Sequence, residues 1–258
     1  MNIHPTAIVN SGASIAEDVI IREYSIIGPD VTIGRGTIVG PHVVIDGWTT
    51  IGERNRIFPF TTIGYPPQDL KYKGGRTRVV MGNDNIIREN VTIHRGTEHG
   101  GGLTKIGNGN LIMAYAHIAH DCFLGDSVIM ANAATLGGHV RIENNAVIGG
   151  LAAVHQFVRI GEKAYIGGKT GVSRDIPPFM LARGYPAKLY GPNVVGLRRQ
   201  GVSSESISAI KRAYRIIFRS NLTIAKALER VCEEFPNMPE EVRILVEFIR
   251  TSKRGITR

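Results

Sequence analysis

The stretch VIIREYSIIGPDVTIGRGTIVGPHVVI, residues 19–45, repeats every six residues. Ile21, Ile27, Ile33, Val39 and Ile45 are the large aliphatics of the repeat. Two residues before each stands a smaller side chain: Val19, Ser25, Val31, Thr37 and Val43. Gly28, Gly34 and Gly40 follow one residue after. The phase runs back to Ile3, Val9 and Ile15 and forward to Ile51, Ile57 and Ile63. It resumes at Met81, Ile87 and Ile93, shifts by one residue, and continues from Ile106 to Val172.

An apolar position every six residues fits neither the 3.6 period of a helix nor the 2.0 period of a half-buried strand. It fits a parallel β-helix of hexapeptide repeats, in which three short strands make one triangular coil of about 18 residues. The large aliphatic fills the axis, the small residue lies inward near a corner, and a glycine or polar residue takes the turn. Roughly 26 hexads give about nine coils. At about 4.8 Å between stacked strands the prism is on the order of 40 Å tall. The six-residue pattern is similar to that of the left-handed β-helix family, and the left hand is taken from that resemblance, since the general rule for parallel crossovers gives the opposite.

Two interruptions break the phase. Asp69 and Gly75 stand where aliphatics are due, so Tyr65 to about Arg78 is an excursion. A second loop of about seven residues, near Thr97 to Leu103, accounts for the one-residue shift. Loops on a rigid repeat are where binding groups usually sit. After Val172 the period fails at Pro178, and Arg183 to Asn193 reads as a turn-rich connector. Helical patterns follow. Ser203 or Ser204 caps a helix with the stripe Ile207, Ile210, Tyr214, Ile217 and Phe218 beside a basic ridge of Lys211, Arg215 and Arg219. Thr223 caps a second helix through Val231, and Pro239 opens a third with Val242, Leu245, Val246 and Ile249. The expected division is a β-helix over 1–190 and a small α-helical domain over 191–258.

Composition narrows the function. The chain has 258 residues, 43% hydrophobic and 21% charged, which is ordinary for a globular protein. Met1 to Val9 lack a signal-peptide pattern and no apolar run approaches a membrane span, so a cytoplasmic protein with no transmembrane segment is expected. Cys122 and Cys232 are too few and too far apart for a disulfide framework or a four-ligand zinc site. The net charge of +9 is concentrated in the tail, where residues 191–258 carry 13 Lys/Arg against 7 Asp/Glu. That excess suggests an acidic partner.

On an 18-residue coil, position n lies under n+18. His120 therefore lies under Gly138 and Gly138 under Gln156; Asp121 lies under His139, and Ala119 under Gly137 and His155. Correcting for the seven-residue loop brings His94 beside Ala119. His94, His117, His120, His139, His155 and Gln156 thus gather along one edge. Cys122 takes the small inward position and reads as an inert core thiol. His120 sits at a corner with a carboxylate beside it, which suits a general base whose tautomer the carboxylate fixes. Gly138 can bring a backbone N–H against the same substrate.

These motifs together, His117-Ile-Ala-His120-Asp121-Cys122, Gly-Gly-His139, Ala-Val-His155-Gln156-Phe157, Pro-Gln68-Asp69-Leu-Lys71-Tyr72 and Thr-Ile-His94-Arg-Gly-Thr on a hexad prism with a helical tail, closely resemble the UDP-N-acetylglucosamine 3-O-acyltransferase family over essentially the whole chain. The resemblance implies the first acyl transfer of lipid A synthesis, with no cofactor. His120 would deprotonate the sugar 3-hydroxyl, which attacks a 3-hydroxyacyl thioester on acyl carrier protein. Asp121 would support His120, and the Gly138 amide would hold the oxyanion. The same carry-over puts Gln68, Asp69, Lys71, His117, His139 and Gln156 on the sugar nucleotide or acyl group, with His94 and His155 lining the cleft. It assigns Asn193 and Arg199 to the nucleotide and Gly168 to the end of the acyl chain. It also implies a homotrimer with clefts between prisms. The chain departs at Val195, where the family pattern often has an acidic residue.

Other readings stay open at this point. The acceptor in some relatives is an amino sugar, which would give an amide, and other hexapeptide acyltransferases share the prism. Zinc chemistry resembling the γ-type carbonic anhydrases is set aside because its ligands come at other spacings. Nucleic acid is set aside because the basic ridge has no interleaved aromatic platform. A scaffold without activity is opposed by the clustered histidines.

Overall fold

A computed structural model describes residues 2–258; Met1, the first residue of the expected 1–190 unit, lies outside them. Three parallel sheets of two- to four-residue strands form a triangular prism. The first face runs from Asn2–Ile3 and Ile20–Ile21 up to Tyr165–Ile166. The second runs from Ile8–Val9 to Gly171–Val172, and the third from Ser14–Ile15 to Arg159–Ile160. Register follows the coil: Ile21 pairs with Val39, Ile27 with Ile45 and Ile33 with Ile51, each eighteen residues on. The second residue of each strand points inward, and from Ile21 to Val172 these side chains are buried on the axis.

Most corners from Tyr24 onward turn through a residue with positive φ, among them Tyr24 and His42 on the first edge, Asp121 and His139 on the second, and Asn145 and Lys163 on the third. Such backbone costs on the order of 1–3 kcal/mol per residue and survives because the stacked ladders over-determine it. It also throws the corner side chain outward, which matters for the site.

The smaller inward positions are buried, and several are polar. Asn55, Asn85 and Asn110 stack in the core: Asn85 donates N–H and Nδ2 to Asn55 Oδ1, Asn110 does the same to Asn85 Oδ1, and Val128 N–H donates to Asn110 Oδ1. This ladder crosses the coil that carries the second loop.

The two excursions leave the prism after Tyr65, returning at Arg78, and after His94, returning at Leu103. Beyond Val172 the structure departs from the expected connector. Met180–Arg183 and Lys188–Pro192 form an antiparallel hairpin that extends the first face. A short helix α1, Val194–Arg199, follows, then α2 Ser204–Arg219, α3 Ile224–Glu234 and α4 Glu240–Arg250. Ser203 caps α2 and Thr223 caps α3, accepting from Ser206 and Lys226 N–H. Hairpin and α1 escaped the pattern reading because Gly184, Pro186 and Gly191 read as turns. The helices pack on the prism's end and continue its core. None of the described helices is long and apolar enough to cross a membrane.

The asparagine ladder gives a stability test. Asn85→Ala leaves Asn110 N–H, Asn110 Nδ2 and the Gly107 carbonyl without their partner. Buried groups orphaned in this way cost about 2–4 kcal/mol together. Urea unfolding should show a loss of that order; a loss below about 0.5 kcal/mol would mean the ladder contributes no net stability.

Candidate active site

The second edge, between the second and third faces, carries the polar cluster. His117 faces outward from the second face, with Nδ1 2.7 Å from Thr92 Oγ1. Its ring meets that of His94 edge-on at 5.1 Å. Two residues on, the chain enters the corner, and His120 and Asp121 leave the prism there. His120 Nδ1 lies 2.8 Å from Asp121 Oδ2. An ionised carboxylate only accepts, so Nδ1 carries the proton and Nε2 presents its lone pair. The Asp121 side chain is 1% exposed and that of His120 13%.

Asp121 is gripped from the second loop. Thr97 N–H donates to both carboxylate oxygens, and Thr97 Oγ1 donates to Oδ2 at 2.6 Å. Burial pushes this carboxyl up, but the bonds from His120 and Thr97 outweigh it and hold it below the ordinary carboxylate value. Asp121 is thus a fixed anion against one nitrogen of His120.

One coil above, Gly138 lies over the imidazole. A Cβ there would stand 2.6 Å from His120 Nε2, so the absent side chain is what admits the ring. The Gly138 carbonyl accepts from Phe157 N–H, while its own N–H meets no backbone acceptor among the described residues. His139 stands over Asp121, its Nε2 3.8 Å from Oδ2, edge-on to His120 at 5.1 Å and stacked on Phe157 at 4.4 Å. Burial lowers His139, with Asp121 pulling the other way.

The loops fold back to this edge. His99 Nε2 lies 3.2 Å from Asp69 Oδ2, and Gly75 N–H donates to Glu98 Oε1 at 2.7 Å, so the two excursions latch together. Asp69 is held low, first by the Lys71 N–H bond and also by His120 and His99. Gln68 and Lys71 are exposed on the same loop. His155 and Gln156 continue the edge one coil further, both exposed.

Three expected residues lie elsewhere in the chain. Asn193 caps α1, accepts from Gly196 N–H and donates to the Lys163 carbonyl at the third edge. Arg199 is exposed on the same short helix, which Gln200 pins to the Asn145 carbonyl. Gly168 is exposed at the first edge, its Cα close to the Gly150 carbonyl. Thr97, which anchors the key carboxylate, was not singled out in the sequence. Its signal was indirect, since it opens a loop recognised only by its length.

Cys122 is buried at the inward position and its thiol is pushed up to about 12, first by burial. Covalent chemistry there is disfavoured. His120, Asp121 and His139 bring three donor atoms within 4.8 Å. That is one short of a four-ligand set, and the Asp121 oxygens already accept from Thr97 and His120. The arrangement suits proton transfer: an oriented neutral imidazole, a fixed anion behind it and a free amide in front.

The chain is similar to known proteins over its whole length. The family model "Bacterial transferase hexapeptide (six repeats)" matches residues 12–47, and "Udp N-acetylglucosamine O-acyltransferase; Domain 2" matches residues 175–257. The acyl-[acyl-carrier-protein]–UDP-N-acetylglucosamine O-acyltransferase of Syntrophobacter fumaroxidans is 56% identical over 259 residues, covering 100% of both chains. The protein of the same name from Thermodesulfovibrio yellowstonii is 57% identical over 256 residues, covering 99% of both. Among solved structures, the UDP-N-acetylglucosamine O-acyltransferase of Moraxella catarrhalis has a TM-score of 0.95 at 42% identity over 100% of both chains. LpxA of Acinetobacter baumannii has a TM-score of 0.96 at 45% identity over 99% of both.

The buried histidine sets a pH test. Burial, then His117 and His120, lowers His94 from 6.5 to about 4. The unfolded chain therefore binds a proton that the folded chain refuses, so this contribution to stability is whole above pH 6.5 and is lost as pH falls towards 4. His94→Gln should lose less stability than the wild type between pH 7.5 and 5 in urea melts. Equal losses would remove His94 as the source.

Proposed function

The chain belongs to the acyl-[acyl-carrier-protein]–UDP-N-acetylglucosamine O-acyltransferase family, and from that premise we propose how its residues carry out the transfer. The protein is a left-handed β-helix acyltransferase that moves an acyl group from acyl carrier protein to a hydroxyl of UDP-N-acetylglucosamine. The name shared by the relatives specifies an O-acyl product, which favours the hydroxyl acceptor over the amino sugar.

In the proposed mechanism the sugar 3-hydroxyl attacks the thioester carbon of a 3-hydroxyacyl group while His120 Nε2 takes its proton. Asp121 stabilises the imidazolium that forms, as a buried carboxylate does for any His base. The Gly138 N–H donates to the oxyanion. Collapse expels the thiolate, which recovers the proton from His120. The product is the 3-O-acyl sugar nucleotide that opens lipid A synthesis. Gln68, Asp69, Lys71, His117, His139 and Gln156 hold the sugar nucleotide or acyl group, His94 and His155 line the cleft, and Gly168 meets the end of the chain. The single observation that carries this reading is the Asp121–His120–Gly138 alignment.

A homotrimer is part of the proposal. The outward residues of the first face include Ile20, Ile38, Ile86, Leu111, Ile129 and Val147; those of the second include Ile8, Ile26, Val44, Thr62, Thr92 and Thr135. The third face instead carries Arg78, Lys105, Arg141 and Arg159. The first edge, between the first and second faces, on whose prism strands Arg56 is the one outward Lys, Arg, Asp or Glu, exposes Tyr24, Phe60, Tyr115 and Leu151. Apolar surface on this scale marks an interface. A three-fold axis beside the first edge lays each first face against a neighbour's second face. It also sets each third edge, with Asn193 and Arg199, beside a neighbour's His120, where they hold the nucleotide. The acidic carrier protein docks on the basic side of α2, where Lys211 and Arg215 have no carboxylate within 4 Å among the described residues. A cytoplasmic location belongs to the same proposal.

His120→Ala should cut transfer from acyl carrier protein to UDP-N-acetylglucosamine by about 10²–10⁴-fold with the oligomer intact. Activity within tenfold of wild type would sink the general-base assignment. Ile129→Arg should break the trimer, seen by light scattering as a fall from three chain masses to one, and activity should fall with it. A trimer that keeps its mass would place the interface elsewhere.

A further inference from the structure

On the charged third face, a cavity of about 1040 Å³ opens directly from the catalytic edge. His139, Phe157, Lys253 and Arg254 are among the residues that line it. No residue of the proposed mechanism beyond His139 and Asp121 accounts for it.

The groove is lined by four carboxylates and four Lys/Arg cations, but they are not all paired with one another. Its carboxylates are all engaged: Asp121 by His120 and Thr97, Asp175 by Arg159 N–H and Ser252 Oγ, Glu143 by Glu162 N–H and Arg159, and Glu162 by Lys163. Of its cations, Arg159 is engaged too, with Glu143 at 3.4 Å, Thr251 Oγ1 at 3.0 Å and the Phe248 ring at 4.2 Å. Arg141, Lys253 and Arg254 have no carboxylate within 4 Å among the described residues. Arg141 stands in register with Arg159 on the neighbouring strand, a like-charge pair that disfavours itself. Its guanidinium lies over the face of Phe123, 4.9 Å from the ring centre.

Arg254 adds a second, independent sign. Its Nη2 donates to His155 Nδ1 at 3.2 Å and to the Ser173 carbonyl at 3.4 Å, yet its Nε is buried with no acceptor. A buried guanidinium N–H without a partner is costly and calls for an anion. The tail that carries it is tied down, since Thr257 N–H donates to the Asp175 carbonyl and Asp175 N–H to the Gly255 carbonyl. The arginine is therefore held at the groove and not merely draped over it.

We propose that this groove is a phosphate-ester subsite in which Arg141, Lys253 and Arg254 hold the phosphate of a substrate whose reactive end lies at His120. The inference rests on the acyl-transfer reading. Both substrates of that reading offer the chemistry, a phosphodiester in the pantetheine arm of the carrier protein and the diphosphate of the sugar nucleotide. A guanidinium pair takes either as a fork, with lysine adding charge.

The test compares binding to the whole protein, by calorimetry, of 4′-phosphopantetheine against pantetheine and of UDP against uridine. In the Arg141→Ala/Lys253→Ala double variant, one phosphorylated ligand should lose at least tenfold in affinity while its phosphate-free partner is unchanged; the pair affected names the source. Arg254→Gln should do the same and Arg254→Lys should recover most of the loss, which a purely structural arginine would not. The matching KM should rise about tenfold with kcat within twofold. Unchanged affinity for both phosphorylated ligands in the double variant, with its melting temperature preserved, overturns the subsite. A wild-type protein that binds the phosphorylated ligand but transfers no acyl group overturns the acyl-transfer reading instead and leaves the subsite standing.

Discussion

Parallel pairing at one coil per turn is the constraint on which everything else in this protein depends. Once Ile21 must pair with Val39 and Ile118 with Leu136, every side chain is committed to the one a coil away. The core follows, because aliphatics in phase form a continuous axis that no single coil could bury alone. So does the chemistry. Asp121, His139 and Phe157 occupy the same corner position on three successive coils, all with positive φ, and their side chains stack because the backbone repeats. His120, Asp121 and Gly138, to which the proposed mechanism gives the roles of base, anion and oxyanion donor, are placed by register before any of them makes a specific contact.

This is why so much was legible without coordinates. His120 under Gly138 and Asp121 under His139 are arithmetic on a fixed period, and the seven-residue correction that brings His94 to the same edge is confirmed by Thr92 pairing with His117. Wherever the period lapses, legibility lapses with it. Thr97 grips Asp121 from a loop that has no register to count, and the latch between Asp69 and His99 joins two such loops. The hairpin at Met180–Pro192 hid behind turn residues, and Arg254 reaches His155 from ninety-nine residues away in sequence. Periodicity gives neighbours along the prism axis; it is silent about contacts made across it.

The electrostatics of the edge show a division of labour. Burial works against charge on His94, His117 and His139, all of which are held low. Only His120 has a hydrogen-bonded carboxylate at 2.8 Å, and that carboxylate is itself kept ionised by Thr97. Imidazoles whose charged forms burial disfavours thus surround the one that a buried carboxylate orients.

A prism edge is convex, and a convex surface cannot surround a substrate. The residues expected to touch the nucleotide and to end the acyl chain lie on the other two edges of the same chain, at Lys163 and at Gly150. No flexing of a stacked prism brings its own three edges together, because each coil is pinned above and below by its ladders. In the proposed trimer a neighbouring prism supplies the missing wall. The first and second faces, on whose prism strands Arg56 is the one outward Lys, Arg, Asp or Glu, meet at the edge opposite the third face, so the proposed trimer that buries them also brings a third edge to a second edge. Burial of apolar surface and completion of the site are in that proposed geometry a single event.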